Sequence, residues 1–374
     1  MRILFDGHWW IDGPPSNREV LRQMVLTWSR LFSNDELFVA VPSRHVLAAS
    51  AEVPEGVTII RSRIAPQGLS AILELPLLKL RYKADVIISH NFTPAFGASM
   101  VFVHDFLFLT NPEWFTFAEN RYFSLMPVSA RRAKIIFTSS ENEAQRIRRF
   151  TRKNQAVLPV GLGPNTSVIN AVPQAVPELS EVRGFILSVG RLNIRKNLGM
   201  TLDAALETGR LSPEYPLVVV GADSGRGTTY SPAVSQAVRS GAVRFLGYTS
   251  NEELAWLYSN ADLFVFLSLD EGFGMPLLEA LALGTPVLAS DIPVFREILG
   301  DAGALVNPTE VAAISAAISA GIQAAIDVGS AQFNASKVLD RYSWALSVNR
   351  MREAVRDWHV TGGVDTYDKD RTGR

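Results

Sequence analysis

The 374-residue chain contains no cysteine, which excludes disulfides and thiolate-held metals and suits a reducing compartment such as the cytoplasm. It has no run of about 18 consecutive apolar residues, so no membrane-spanning helix is predicted. The opening "MRILFDGHWW" is too briefly apolar for a secretory leader and reads as a short strand. No G-x-G-x-x-G follows a first strand, no GK[ST] phosphate loop occurs, and the glycines of "GADSGRG" (221–227) are too loosely spaced. These gaps argue against a dinucleotide-dependent dehydrogenase and a phosphate-loop nucleotidase. Nor is there an excess of one charge: the formal net charge is −1, and nucleic acid is not an expected partner.

What is present is a globular composition, 47% hydrophobic with 20% charged residues, on a chain long enough for two domains. The charge is unevenly spread. Residues 1–165 carry 19 Lys/Arg against 14 Asp/Glu, and the remainder carries 17 against 23. Two basic clusters, "RRAKIIF" (131–137) and "RIRRFTRK" (146–153), read either as solvated helix faces or as a surface that meets anionic lipid head groups or a lipid-linked acceptor.

Short β-rich runs alternate with helix-length amphipathic segments, the pattern of parallel sheets with crossover helices. The first series reads "RILFDG", "LFVAVP", "VTIIR", "DVIISH", "SMVFVHD", "KIIFTSS" and "AVLPVG". Its first helix is predicted over 16–32, with Ser16 and Glu19 as a capping box. A Pro-rich polar stretch within 161–184 reads as an interdomain linker. The second series reads "FILSVG", "PLVVVGA", "AVRFLG", "DLFVFLS", "TPVLAS" and "GALVNP", with a second capping box at Ser250 and Glu253. The continuous Val/Leu/Phe character of these strands predicts sheets covered on both faces. The expected domains are therefore 1–165 and 184–342, with a linker at 166–183, a last helix at 343–359 outside the second sheet, and a polar, disordered tail at 360–374. In such tandem doubly wound α/β units, ligands sit beyond the carboxyl ends of the strands.

The chemistry concentrates in "SLDEGFGMPLLEALALGTPVLASD" (268–291). Pro276 suits the first position of a helix and Gly284 its stop. Leu277, Leu278, Ala280, Leu281, Ala282 and Leu283 leave that helix no polar face, yet Glu279 sits among them. A lone buried carboxylate costs several kcal/mol. Glu279 therefore either pairs with an arginine elsewhere or accepts hydrogen bonds from a ligand diol. Gly272 and Gly274 just upstream let backbone N–H groups approach a ligand, and the helix start attracts anions. Phosphate at one end and a diol partner one turn further in describe a nucleotide's phosphates and ribose. In "SVGRLNIRKN" two cations, Arg191 and Lys196, follow a strand end and suit a diphosphate.

"EGFGMPLLE", with Glu271 and Glu279, together with "GRLNIRKN" and "GTPVLASDIPVFREIL", resembles the retaining glycosyltransferases of family four (glycosyl transferases group 1) over about 184–308. The resemblance implies the GT-B fold: two Rossmann-like doubly wound parallel-sheet domains facing a cleft, the last helix crossing back to the first. It also implies a nucleotide-diphosphate sugar donor and a saccharide or lipid-linked acceptor. Transfer would retain the anomeric configuration, with neither metal nor other cofactor, and mannose is the leading candidate sugar. Carried over by position, Arg191 and Lys196 would hold the donor diphosphate, Glu279 the ribose hydroxyls, and Glu271 the transferred sugar. The amides of Gly272, Phe273 and Gly274, with Met275 beside them, would contact the donor. Tyr248 would lie against the base or else pack in the core. His104, ending "VFVHD", would face the sugar; Asp105 would turn the backbone, and His90 and Asn91 are weaker acceptor-side candidates.

The chain departs from the family after the first strand. A Gly-Gly loop is replaced by "DGHWWIDGPPSNREV", leaving Gly13 to take that place and acceptor-side details unassigned. Two other readings remain: a GT-B epimerase or phosphorylase, and a nucleotide-sugar-binding partner without turnover.

Overall fold

The computed structural model describes residues 1–222, 230–324 and 328–361. Most of the "GADSGRG" stretch and nearly all of the predicted tail lie outside the described residues. The chain forms two compact units. The first comprises residues 1–106 and 118–162 together with the helix after Ser343; the second comprises residues 107–117 and 163–342.

In the first unit the strands are β1 (Arg2–Asp6), β2 (Glu36–Pro42), β3 (Val57–Ser62), β4 (Val86–His90), β5 (Ser99–Phe102), β6 (Ile136–Thr138) and β7 (Val157–Pro159). All pair in parallel in the order β3-β2-β1-β4-β5-β6-β7. The second unit carries β8 (Ile186–Val189), β9 (Leu217–Val220), β10 (Val243–Gly247), β11 (Leu263–Phe266), β12 (Val287–Ser290) and β13 (Ala304–Val306), ordered β10-β9-β8-β11-β12-β13. Each of the thirteen apolar runs read from the sequence contributes one strand. Each sheet reverses its winding beside its own first strand, at β1/β4 and at β8/β11, and the crevice outside those carboxyl ends is where this topology binds ligands. The fold is GT-B, built from two Rossmann-like units.

Burial follows the continuous apolar character of the strands. Ile3, Leu4 and Phe5 are fully buried in the first sheet, and Ile186, Leu217, Val265 and Leu288 pack against Leu202 and Ile314 of covering helices in the second. The helix Trp344–Val360 belongs to the first unit, where it packs on the helix Pro15–Leu31. Arg352 Nε donates to Asp35 at 2.7 Å, and Asp35 also accepts from the Trp28 indole at 3.0 Å and from the chain's amino terminus at 2.8 Å.

Three local readings need correction. Ser16 does not cap the first helix: the helix begins at Pro15, whose fixed φ suits the first turn, and Pro14 holds the cap position without a side-chain hydrogen bond. The stretch read as a linker at 166–183 contains a short helix, Thr166–Ile169, and a 3₁₀ turn, Pro177–Leu179, and lies within the second unit. Residues 107–117, read as part of the first domain, also group with the second unit. The Ser250–Glu253 capping box forms as predicted: Glu253 N–H donates to the serine hydroxyl at 3.1 Å, and Ser250 N–H donates to the glutamate at 2.9 Å.

Candidate active site

At the β8/β11 switch of the second unit, two loops meet. After β8, Asn193 opens a 3₁₀ turn, Ile194–Lys196, by accepting from Lys196 N–H at 3.2 Å. Asn197 then leaves the turn in the left-handed region at φ +53° and donates to the Pro308 carbonyl at 2.8 Å. After β11, Leu269 N–H donates to the Arg195 carbonyl at 2.8 Å, joining the two loops. The junction brings Lys196 Nζ within 2.6 Å of Glu271 Oε1 and sets the Arg195 guanidinium on Oε2. Lys196 also lies 4.3 Å from the Phe266 ring centre.

The electrostatics follow from this crowding. Burial opposes the charge on Glu271, but Arg195 and Lys196 outweigh it and hold the carboxyl down at about 2. Lys196 falls to about 8, first through burial and then through the cationic Arg195 and Arg191, with Glu271 pulling the other way. Two cations thus sit on one carboxylate with Arg191 acting on Lys196 beside them, an excess of positive charge suited to an anion.

Helix Met275–Ala282 follows. Gly274 caps it at φ +118°, where a β-carbon would stand 2.9 Å from the Phe295 ring, so glycine is required by both conformation and space. The helix starts at Met275, one residue before the predicted Pro276, and a left-handed Gly284 follows its end. Gly272, Phe273 and Met275 are buried, with the Phe273 ring edge-on to Tyr342 at 5.4 Å. Glu279 is buried on this helix, and its Oε2 accepts from the Tyr258 hydroxyl at 2.9 Å. Burial and Glu279 raise the Tyr258 hydroxyl well above its ordinary value, so it stays a donor. Tyr248 follows β10 and is 78% exposed, which rules out the core-packing alternative.

A second group of the predicted residues meets at the carboxyl ends of the first unit's strands. His90 ends β4 and His104 follows β5; their rings stack 5.6 Å apart, and each lies 5.9 Å from Trp9. His90 is buried and His104 half-buried, and both imidazoles are neutral: burial lowers His104 to about 3, and burial with His104 nearby pushes His90 well below the usual range. Asn91 Oδ1 accepts from His104 N–H at 3.3 Å. Gly13, at φ +122°, lies against Trp9. Gln67 bridges the strand ends, donating to Asp6 at 2.8 Å and to the His90 carbonyl at 2.7 Å.

Residues 174–324 match the family described as glycosyl transferases group 1. The chain is 32% identical over 228 residues to O-antigen chain mannosyltransferase B of Escherichia coli, a match covering 59% of this chain and 60% of that relative. Among solved structures, sucrose-phosphate synthase from Thermosynechococcus elongatus superposes with a TM-score of 0.69 at 17% identity, over 96% of this chain and 100% of that one. Anabaena HepE in complex with UDP-glucose gives 0.67 at 19% identity with the same coverages.

Two site residues escaped the sequence reading. Arg195 is adjacent to Lys196, and neighbouring residues of a helical turn point apart; both long side chains reach Glu271 because the loop after β11 runs against this turn, with Leu269 N–H bonded to the Arg195 carbonyl. Tyr258 reads as one more apolar position of its helix, and nothing in the sequence joins it to a carboxylate 21 residues later.

Proposed function

We propose that the protein transfers a hexose-type sugar, with mannose the leading candidate, from a nucleotide-diphosphate donor to a hydroxyl of a saccharide or lipid-linked acceptor during polysaccharide or cell-envelope glycan assembly. The observation that carries this reading is the Arg191, Arg195, Lys196 and Glu271 cluster at the carboxyl ends of β8 and β11, one loop from the buried Glu279. The mannosyltransferase relative and the UDP-glucose-bound structural neighbour support the same class.

In this reading the diphosphate takes Lys196, Arg195 and Arg191 as its counter-ions, and Glu271 exchanges its cations for hydroxyls of the sugar. Glu279 accepts from the ribose diol while Tyr258 fixes the carboxylate's orientation. The bond between the anomeric carbon and the diphosphate oxygen breaks, and the acceptor oxygen forms its bond on the same face. The acceptor's proton passes to the departing phosphate oxygen, so configuration is retained. Charge growing on the diphosphate meets cations already in place, a form of preorganisation whose loss costs about 10²–10³-fold per donor. These cations and the start of helix Met275–Ala282 fill the place of a metal ion, and no other cofactor is invoked. In this reading Tyr248 stacks on the base. We place the protein in the cytoplasm, at the inner face of the membrane; none of the described helices is long and apolar enough to cross a bilayer.

The reading is tested by incubating the protein with a panel of nucleotide-diphosphate sugars and candidate acceptors, then following nucleoside diphosphate release and the product's anomeric configuration by NMR. Acceptor-dependent release with retention is expected. Release that requires inorganic phosphate, or donor interconversion without transfer, would point to the phosphorylase or epimerase; tight donor binding with no product in any arm would leave a binding protein.

A further inference from the structure

The helical run over residues 67–81, with a π turn at Ser70–Glu74, is apolar on two sides. Ala71, Leu75 and Leu78 face the core, as an amphipathic helix requires. The opposite side, where polar residues are the rule, carries Leu69, Leu73, Leu77 and Leu80, exposed by 47%, 50%, 59% and 65%. The stripe does not end with the helix. Ala95 N–H donates to the Ile72 carbonyl at 2.9 Å, tying a loop with the half-exposed Phe96 to the helix, and the Lys79 stem runs beside Gly97. The same loop is joined to helix Leu125–Ala130 through Thr93 N–H and the Ser129 hydroxyl at 3.3 Å, adding the exposed Leu125 and Val128.

Beside this apolar surface lies a cavity of about 530 Å³, lined by Phe96, Arg131, Arg132, Lys134, Arg152 and Trp358. It contains the first basic cluster of the sequence. Among the described residues none of those four cations makes an ion pair, whereas Arg146 and Arg148 of the second cluster are held by Glu143 and Glu141. The Trp358 indole N–H is buried and has no acceptor among the described residues.

We propose that the first unit docks on a bilayer containing anionic phospholipid. The leucine stripe enters the acyl boundary, and Arg131, Arg132, Lys134 and Arg152 take lipid phosphate. A soluble anion would account for the cations but leave seven exposed apolar side chains unexplained, while a bilayer interface offers both phases side by side. A two-fold contact between copies of the chain would place the same unpaired cations near their own images, which charge complementarity opposes. The amino end of the stripe begins beside Gln67, which holds the strand ends near His90, so docking there brings lipid near the ligand-binding end of the sheet. The inference deepens the lipid-linked acceptor of the proposed function, and its test requires no turnover.

The full chain is pelleted with vesicles of phosphatidylcholine alone and of phosphatidylcholine with phosphatidylglycerol, with and without high salt. Anionic vesicles are expected to bind at least about tenfold more tightly, an advantage that salt reduces. The doubles Leu73→Ser/Leu77→Ser and Arg131→Ser/Lys134→Ser should each lose about tenfold or more, because each removes buried apolar area or phosphate attraction. All four altered side chains are exposed, and an unchanged thermal shift with nucleoside diphosphate reports that each variant is folded with its donor site intact. Lys196→Ala should keep vesicle binding, which separates this proposal from the donor reading. No binding to anionic vesicles, equal binding by the variants, or a wild-type oligomer that the leucine double converts to monomer would overturn it.

Discussion

Glu271 holds two cations on its carboxylate before any phosphate arrives, and this sets the pH behaviour of the site. Lys196 sits near 8 instead of 10.5 because burial disfavours its charge. A bound diphosphate requires the charged form. Affinity for a nucleoside diphosphate should therefore fall as pH rises above about 8, approaching tenfold per unit, and Lys196→Met should flatten the dependence in calorimetric titrations. Glu271 has the opposite linkage. Its carboxyl is depressed from 4.5 to about 2, so its pairing stabilises the second unit fully above about pH 4.5, and this contribution is lost as pH falls toward 2. Tyr258→Phe removes the donor to a buried carboxylate and should cost about 1–3 kcal/mol, read as a drop in Tm, with nucleotide affinity also reduced.

Among the elements, the helix start at Gly274 is the most sensitive to a small change. Gly274→Ala introduces a β-carbon 2.9 Å from Phe295 at a φ of +118°, and should cost about 1–3 kcal/mol in urea unfolding while weakening donor binding. The strands were legible because buried parallel strands are written as continuous Val/Ile/Leu/Phe runs such as "DLFVFLS". Helix starts were legible only where the local chemistry had one solution. Ser250 stands directly before its helix and caps it, whereas Ser16 follows Pro15, which occupies the first helical position and moves the cap upstream. At the site, Lys196 could be singled out from residue type and strand-end position, Glu279 as a carboxylate on an otherwise apolar helix, and Glu271 through the family resemblance. Arg195 and Tyr258 could not, because their contacts join segments 76 and 21 residues apart.

At the scale of the molecule, two sheets with the same winding carry different equipment at their switch points: cations and carboxylates in the second unit, neutral imidazoles and Trp9 in the first. The sequence displays this division in the placement of its motifs. It does not display that residues 107–117 group with the second unit, since that depends on packing rather than pattern. The last helix is part of the first unit's stability: Arg352→Ala strips a charged donor from the buried Asp35 and should cost about 1.5–3 kcal/mol, measured by denaturant unfolding of the full chain. The central claim is that the cluster after β8 and β11 receives a nucleotide's diphosphate while Glu279 takes its ribose. Calorimetric titration of a nucleoside diphosphate into the wild type, Lys196→Ala and Glu279→Ala tests it most directly. The account predicts saturable binding to the wild type, weakened at least about tenfold in each variant, corresponding to one charge-assisted hydrogen bond or more. Wild-type affinity retained in both variants, with the fold intact, would contradict it.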